Sequence, residues 1–226
     1  MNRTLRRVYN LRSRRKMIYD DSTLIFFDLE TTGFNSFHND IIEIAATDNY
    51  GNSFSELIKP RTPIPKKITE ITHITDDMVS DCRNMEDVLY DFVYFCTHNT
   101  DGSKRDMNKT YLIAHNCISF DRVFLERKLG FYGIPSPGWK YLDTLYLAQY
   151  LLPGKSHKLN SLAKYWNIIN INAHRAFSDV KTMIKIWNIL IFMWKSSPES
   201  IGYDPTGEDV LDLDKLHNFL THFKKS

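Results

Sequence analysis

LIFFDLETTGF, Leu24 to Phe34, sets two carboxylates, Asp28 and Glu30, into a run that is otherwise apolar. Leu24, Ile25, Phe26, Phe27 and Leu29 surround them, and Thr31, Thr32 and Gly33 follow. The run reads as a strand, on which alternate side chains share a face, so Asp28 and Glu30 point the same way. Two like charges on one face of a buried strand repel and lose hydration, which is expensive unless something cationic sits between them. The reading of the chain turns on what that cation is.

Outward from this strand the pattern is mixed. DIIEIAATDN (Asp40–Asn49) reads as a second strand, NYGN as a turn and SFSELIKP (Ser53–Pro60) as a third strand, an antiparallel meander. PRTPIPKK is a Pro-marked loop. MEDVLYDFVYFCTH carries Met85, Val88, Leu89, Phe92, Val93 and Phe95 at helical spacing. An exposed polar loop, NTDGSKRDMNK, leads to a fourth strand, TYLIAHN (Thr110–Asn116). Helical stretches follow: SFDRVFLERKLG stopped by Gly130, LDTLYLAQYLLPG, LNSLAKYW, SDVKTMIKIWNILIFMW and a last amphipathic GEDVLDLDKLHNFLTHF. Strands first and helices later, with one helix between strands three and four, predict an α/β fold: a mixed central sheet, the antiparallel meander plus parallel strands, flanked by helices.

At 226 residues the length favours one domain with a sizeable core. Cys82, Cys96 and Cys117 are an odd number without paired spacing, and read as free thiols of a reducing compartment. The longest apolar run, Trp187 to Trp194, is too short to span a bilayer, and no secretory signal is seen, so a soluble intracellular protein with no membrane partner is expected. The net charge of +2 hides an asymmetry. Arg3, Arg6, Arg7, Arg12, Arg14, Arg15 and Lys16 make residues 1–20 a basic arm, while the chain after residue 16 has 22 basic and 27 acidic residues. A polyanion partner, a nuclear signal, a mitochondrial targeting peptide and a solvated tail are all open for the arm. Residues 21–226 read as a single domain with a C-terminal helix.

Two further clusters carry chemistry. In AHNCISFD (Ala114–Asp121) a strand end passes into a helix bearing Asp121. In HRAFSD, His174 precedes Asp179 by five residues, with Ser178 as the expected cap of the helix that carries Asp179. That offset is not a same-face helical spacing, so His174 must lean in from the preceding loop. Four carboxylates, Asp28, Glu30, Asp121 and Asp179, suit hard cations such as Mg²⁺ or Mn²⁺. Two such ions, roughly 3.5–4 Å apart, clamp the attacking and leaving oxygens of a phosphodiester. His174 would then be the general base, taking a proton from the attacking water. The thiolates or several histidines that zinc would call for are missing.

FFDLETTGF, AHNCISFD and HRAFSD, in that order, resemble the three exonuclease motifs of the DnaQ-like superfamily, and the His-x-x-x-x-Asp spacing resembles its DEDDh branch. The resemblance runs from about Leu24 to Trp194. It implies an RNase H-like fold, two Mg²⁺ ions (Mn²⁺ as substitute) on Asp28, Glu30, Asp121 and Asp179, and His174 as base. It further implies removal of nucleoside monophosphates from the 3′ ends of single-stranded DNA or RNA, with Leu29, Thr31 and Asn116 beside the terminal nucleotide.

Two departures stand out. Three residues, Cys117, Ile118 and Ser119, separate His-Asn from the aromatic-Asp pair, a spacing that resembles the TREX-like subgroup. In ITHITDDM, His73 stands where the family usually has glycine, so its side chain either contours the pocket or points to solvent. His115 and His157 read as structural, and Trp187 and Trp194 as core residues at helical spacing. Lys155, Lys158, Lys164 and Arg175 either track a phosphate backbone or are solvated. DNA is favoured as substrate; an exoribonuclease and a catalytically silent nucleic-acid-binding scaffold are the alternatives.

Overall fold

The computed structural model describes residues 21–197 and 211–223; the basic arm expected over residues 1–20 lies outside them. Among the described residues five strands form one sheet: β1 Thr23–Thr31, β2 Ile41–Asp48, β3 Ser53–Leu57, β4 Thr110–Ala114 and β5 Lys140–Asp143, in the order β3-β2-β1-β4-β5. β1 pairs with β2, and β2 with β3, antiparallel, whereas β1–β4 and β4–β5 are parallel. This is the expected mixed sheet.

The helices are α1 Lys66–Thr72, α2 Asp76–Val79, α3 Met85–Thr97, α4 Asp121–Phe131, α5 Thr144–Leu151, α6 Leu159–Tyr165, α7 Ala176–Trp194 and α8 Leu213–Phe223. Several boundaries differ from the sequence reading. The Pro-marked loop ends at Pro65, where α1 begins, and Thr75 caps α2 by accepting from the Met78 N–H. Gly130 lies inside α4, which runs on to Phe131; the left-handed residue after it is Gly133, at φ 67°. LDTLYLAQYLLPG divides into the end of β5 and helix α5, with Asp143 as the cap between them. The last helix is described from Leu213, and residues 207–210 of its expected span lie outside the described residues.

Alternation along β1 sorts the core into two layers. Leu24 and Phe26 face α7, where the Phe26 ring meets Trp187 edge-on at 5.8 Å between centroids. Ile25, Phe27 and Leu29 face α3 and α4, packed with Phe92, Phe124 and Leu125. Trp187 and Trp194 are fully buried, as core residues should be. Cys96 and Cys117 are buried free thiols, and Cys82 is partly buried. No helix among the described residues is long and apolar enough to cross a membrane.

The register positions the site. β1 pairs with β4 only from Thr23↔Thr110 to Phe26↔Ile113, and β4 ends at Ala114. β1 runs on to Thr31 with β2 alone beside it. Its carboxyl end is therefore open on one flank, at the edge where open α/β sheets take their ligands.

Candidate active site

Asp28 and Glu30 continue the Leu24–Phe26 face of β1 past the end of β4, so both half-buried carboxylates look toward α7. Asp179 stands in the first turn of α7 and is buried. Asp121 is the first residue of α4 and is 2% exposed. His174 is exposed on the turn before α7, in the left-handed region at φ 65°. Ligating atoms of Glu30, His174 and Asp179 lie within 4.8 Å of one another. The three motifs, scattered over about 150 residues of chain, thus meet at one end of the sheet, and His174 leans in from its loop as its spacing requires.

This cluster is electrostatically unsatisfied. Among the described residues nothing donates a hydrogen bond to the carboxylate of Asp28 or Glu30. Burial, then repulsion by Asp121, Glu30, Asp179 and Glu43, pushes Asp28 well above the carboxylate range. Glu30 is pushed up to about 8 by burial and by the charges of Asp179, Glu43 and Asp121, against the pull of Arg175. Burial raises Asp121 to about 8 despite hydrogen bonds from its own and the Leu29 backbone. Asp179 is raised by burial, offset in part by Asn170 and by the backbone of His174. Clustered carboxylate oxygens whose charge is not balanced by an ion pair are what a hard divalent ion needs, and Asp28, Glu30, Asp121 and Asp179 fit one.

Three further residues hold the motif loops, and only the sequence context of one betrays it. Asp143, 1% exposed, accepts from the N–H of Asn116 (3.0 Å), Ile118 (3.0 Å) and Leu145 (2.9 Å). It thereby fixes the turn from Asn116 (φ 70°) to Asp121. Asn170 donates to Asp179 Oδ1 at 2.6 Å while the His174 N–H donates to Oδ2 at 2.9 Å, so both oxygens of Asp179 are oriented. Glu43, opposite Glu30 on β2, accepts from Arg175 Nη2 (2.9 Å) and from the Ala176 N–H (2.8 Å) at the start of α7. Glu43 sits in IIEIAA, a carboxylate in a buried apolar strand, which is the same anomaly that marks Asp28 and Glu30.

Leu29 is buried with its side chain in the core. Thr31 is buried and its hydroxyl donates to the Gly33 carbonyl at 2.6 Å. Ser178 is not the helix cap: α7 starts two residues earlier, and the Ser178 hydroxyl donates to Asn170. Arg175 is taken up by Glu43 rather than left facing a backbone, whereas Lys155, Lys158 and Lys164 are exposed. His115 bridges Thr144 Oγ1 and the His157 carbonyl, each at 2.8 Å, and burial lowers its pKa to about 4. It is a structural, neutral imidazole. His157 is likewise tied to the Leu152 carbonyl.

A family model described as Exonuclease, RNase_T, matches residues 25–187, which span all three motifs. The chain belongs to the RNase_T exonuclease family, within the DnaQ-like superfamily. As such it is a hydrolytic nuclease by family, and divalent metal use is typical of that family. Among curated relatives, DNA polymerase III PolC-type of Clostridium perfringens is 36% identical over 188 residues, 80% of this chain and 12% of the relative. The protein of the same name from Streptococcus pneumoniae strain D39 is 33% identical over 181 residues, 78% of this chain and 12% of the relative. The exonuclease chain thus spans about an eighth of the length of these relatives. Exonuclease X in complex with 5′ overhanging duplex DNA has a TM-score of 0.55 at 23% identity, over 82% of this chain and 97% of that one. E. coli exonuclease I in complex with a dA16 oligonucleotide has a TM-score of 0.63 at 20% identity, over 77% and 43%. At these identities the two structures establish the fold alone.

Proposed function

We propose that this protein is a Mg²⁺-dependent 3′→5′ exonuclease of the DEDDh kind, releasing nucleoside monophosphates from single-stranded DNA ends. The observation that carries the reading is the convergence of Glu30, His174 and Asp179 within 4.8 Å, beside Asp28 and Asp121. The DNA preference is supported by the PolC-type relatives and by the DNA bound in the structural neighbours. The catalytic domain is taken to extend over residues 21–226, behind the basic arm.

In this mechanism Asp28, Glu30, Asp121 and Asp179 would hold two Mg²⁺ ions, with Mn²⁺ as substitute. When bound, the ions would supply electrostatic stabilisation of the charge that develops during phosphodiester hydrolysis. Asn170 and the His174 N–H orient both oxygens of Asp179. His174, exposed and beside Glu30 and Asp179, would take a proton from the attacking water. Leu29, Thr31 and Asn116 border the position of the 3′-terminal nucleotide. A free 3′-hydroxyl end is the substrate on this reading.

The test uses 5′-labelled oligonucleotides, DNA and matched RNA, with 3′ ends free or phosphorylated. A shrinking ladder on free DNA ends, blocked by 3′-phosphate and by EDTA, is expected. His174→Ala should lower the rate by roughly 10²–10⁴ while leaving ion binding intact. Efficient cutting of circular single strands, or a ladder built from the 5′ end, would overturn the polarity; undiminished rate in His174→Ala would overturn the base.

A further inference from the structure

We infer that Glu43, acting through Arg175 and the first amide of α7, is a positioning residue for His174 and Asp179. The inference rests on the nuclease reading above and extends it to residues outside the metal and base set.

The geometry is specific. Glu43 is 3% exposed and lies opposite Glu30 in the β1–β2 register. Burying an acid next to another acid is costly, so its place needs a cause. Its Oε1 accepts from Arg175 Nε at 3.2 Å and Nη2 at 2.9 Å, and its Oε2 accepts from the Ala176 N–H at 2.8 Å. Helix α7 has no side-chain cap of its own at Arg175. The strand carboxylate therefore does the work of a cap from across the chain, satisfying an amide that the helix start leaves orphaned. A forked guanidinium–carboxylate pair also fixes direction, which a point charge would not.

The consequence lies on either side of that latch. His174 immediately precedes Arg175, in a left-handed conformation at φ 65° that a histidine adopts only when its neighbours hold it. Asp179 follows in the first turn, and its Oδ2 is held by the His174 N–H at 2.9 Å. Glu43 and Glu30 are cross-strand partners, so the latch references His174 and Asp179 directly to the strand that carries Asp28 and Glu30. Loosening it moves the imidazole and the Asp179 carboxylate relative to the two carboxylates on β1, without removing any of the four acids.

The test pairs kinetics with amide exchange in the full chain. Glu43→Gln and the milder Arg175→Lys should each lower kcat, by about 10–100-fold for Glu43→Gln, the scale of a misplacement near 1 Å. KM for a long oligonucleotide should stay within about threefold, since no substrate contact is removed. Amide exchange should quicken in the segment 171–180 and stay as in the parent protein across β1 and β4. A kcat unchanged in both variants, with Asp28→Ala inactive, overturns the latch and leaves the nuclease reading standing. Uniformly faster exchange over the whole sheet in both variants overturns it too, because Glu43 would then be a stability residue only. Cleavage that survives in Asp28→Ala defeats the metal-site assignment of the nuclease reading instead, and segment-confined exchange still reports whether Glu43 holds the loop.

Discussion

Two acidic sites border the β1–β2 hairpin, and they are built on opposite rules. Asp40, 3% exposed at the entrance to β2, accepts from the Arg61 N–H (2.9 Å), from Arg61 Nη2 (2.7 Å) and from Lys128 Nζ (3.0 Å). Burial would raise it, but these partners outweigh burial and leave its pKa below the ordinary value. Asp48, at the far end of β2, is likewise bound to the buried Arg105 at 2.8 Å. On β1, Asp28 and Glu30 receive no such partner among the described residues, and their pKa values rise. The chain can neutralise buried carboxylates and does so at Asp40, Asp48 and Glu43. Leaving the Asp28–Glu30 face bare is a property of that face, and it is there that the proposed cations would sit.

Swapping equivalent mutations between the two sites gives the sharpest contrast. Asp28→Ala should cut nuclease activity by at least about 10²–10³-fold, the scale of losing a preorganised electrostatic element. Without added metal it should leave the melting temperature unchanged or raise it, because a carboxyl group that burial and its acidic neighbours disfavour is gone. Asp40→Ala should do the reverse. It strands Lys128, whose side chain is 4% exposed, and should cost about 3–5 kcal/mol of stability while the folded fraction still cleaves. Paired thermal melts and single-turnover rates read both effects. Equal loss of stability in the two variants would erase the distinction.

Much of this contrast was legible in the sequence. The acid-bearing strand, the meander, the order of the motifs and the loop origin of His174 all follow from local pattern, because period-2 alternation and helix spacing are local properties. Strand β5 did not, since its four residues run directly into α5 and a short apolar run has no period to distinguish it. Asp143, Asn170 and Arg175 were missed as loop-holding residues for another reason. Each works on a partner, Asn116, Asp179 or Glu43, whose position relative to it is set only by tertiary packing. Capping across the fold leaves no spacing in the chain.

The second test is of intermediate size and concerns pH. Glu30 and Asp121, near 8 in the fold, have ordinary values of 4.5 and 3.8. Between those limits the folded protein holds protons that the unfolded chain has released, so metal-free stability should fall as pH rises from about 5 to 8. Divalent cation should offset the repulsion, and at a hundred times its dissociation constant would add about 2.7 kcal/mol. The gain in melting temperature on adding Mg²⁺ should therefore be larger at pH 8 than at pH 5.5, and EDTA should abolish it. A metal-free melting temperature that rises steadily from pH 5 to 8 would mean that the Asp28–Glu30 face is compensated after all, like Asp40.

The smallest effect concerns His73, which stands where the resemblance to the family leads one to expect glycine. His73 ends helix α1 at φ 59° and ψ 16°, with its N–H donating to the Thr69 carbonyl at 2.8 Å. This is the left-handed helix terminus that glycine occupies without a Cβ penalty. The side chain is exposed, so of the two sequence readings the structure supports solvent over pocket. A non-glycine residue pays about 1–2 kcal/mol in this conformation, and glycine returns part of that as unfolded-state entropy. His73→Gly should thus stabilise the fold by about 0.5–1 kcal/mol, read as a rise of a few degrees in melting temperature, and leave kcat within about twofold. His73→Ala keeps the Cβ and the strain, so it should show no gain. If His73→Ala stabilised as much as His73→Gly, the imidazole itself would be the source of the cost, and the backbone explanation for the expected glycine would fail.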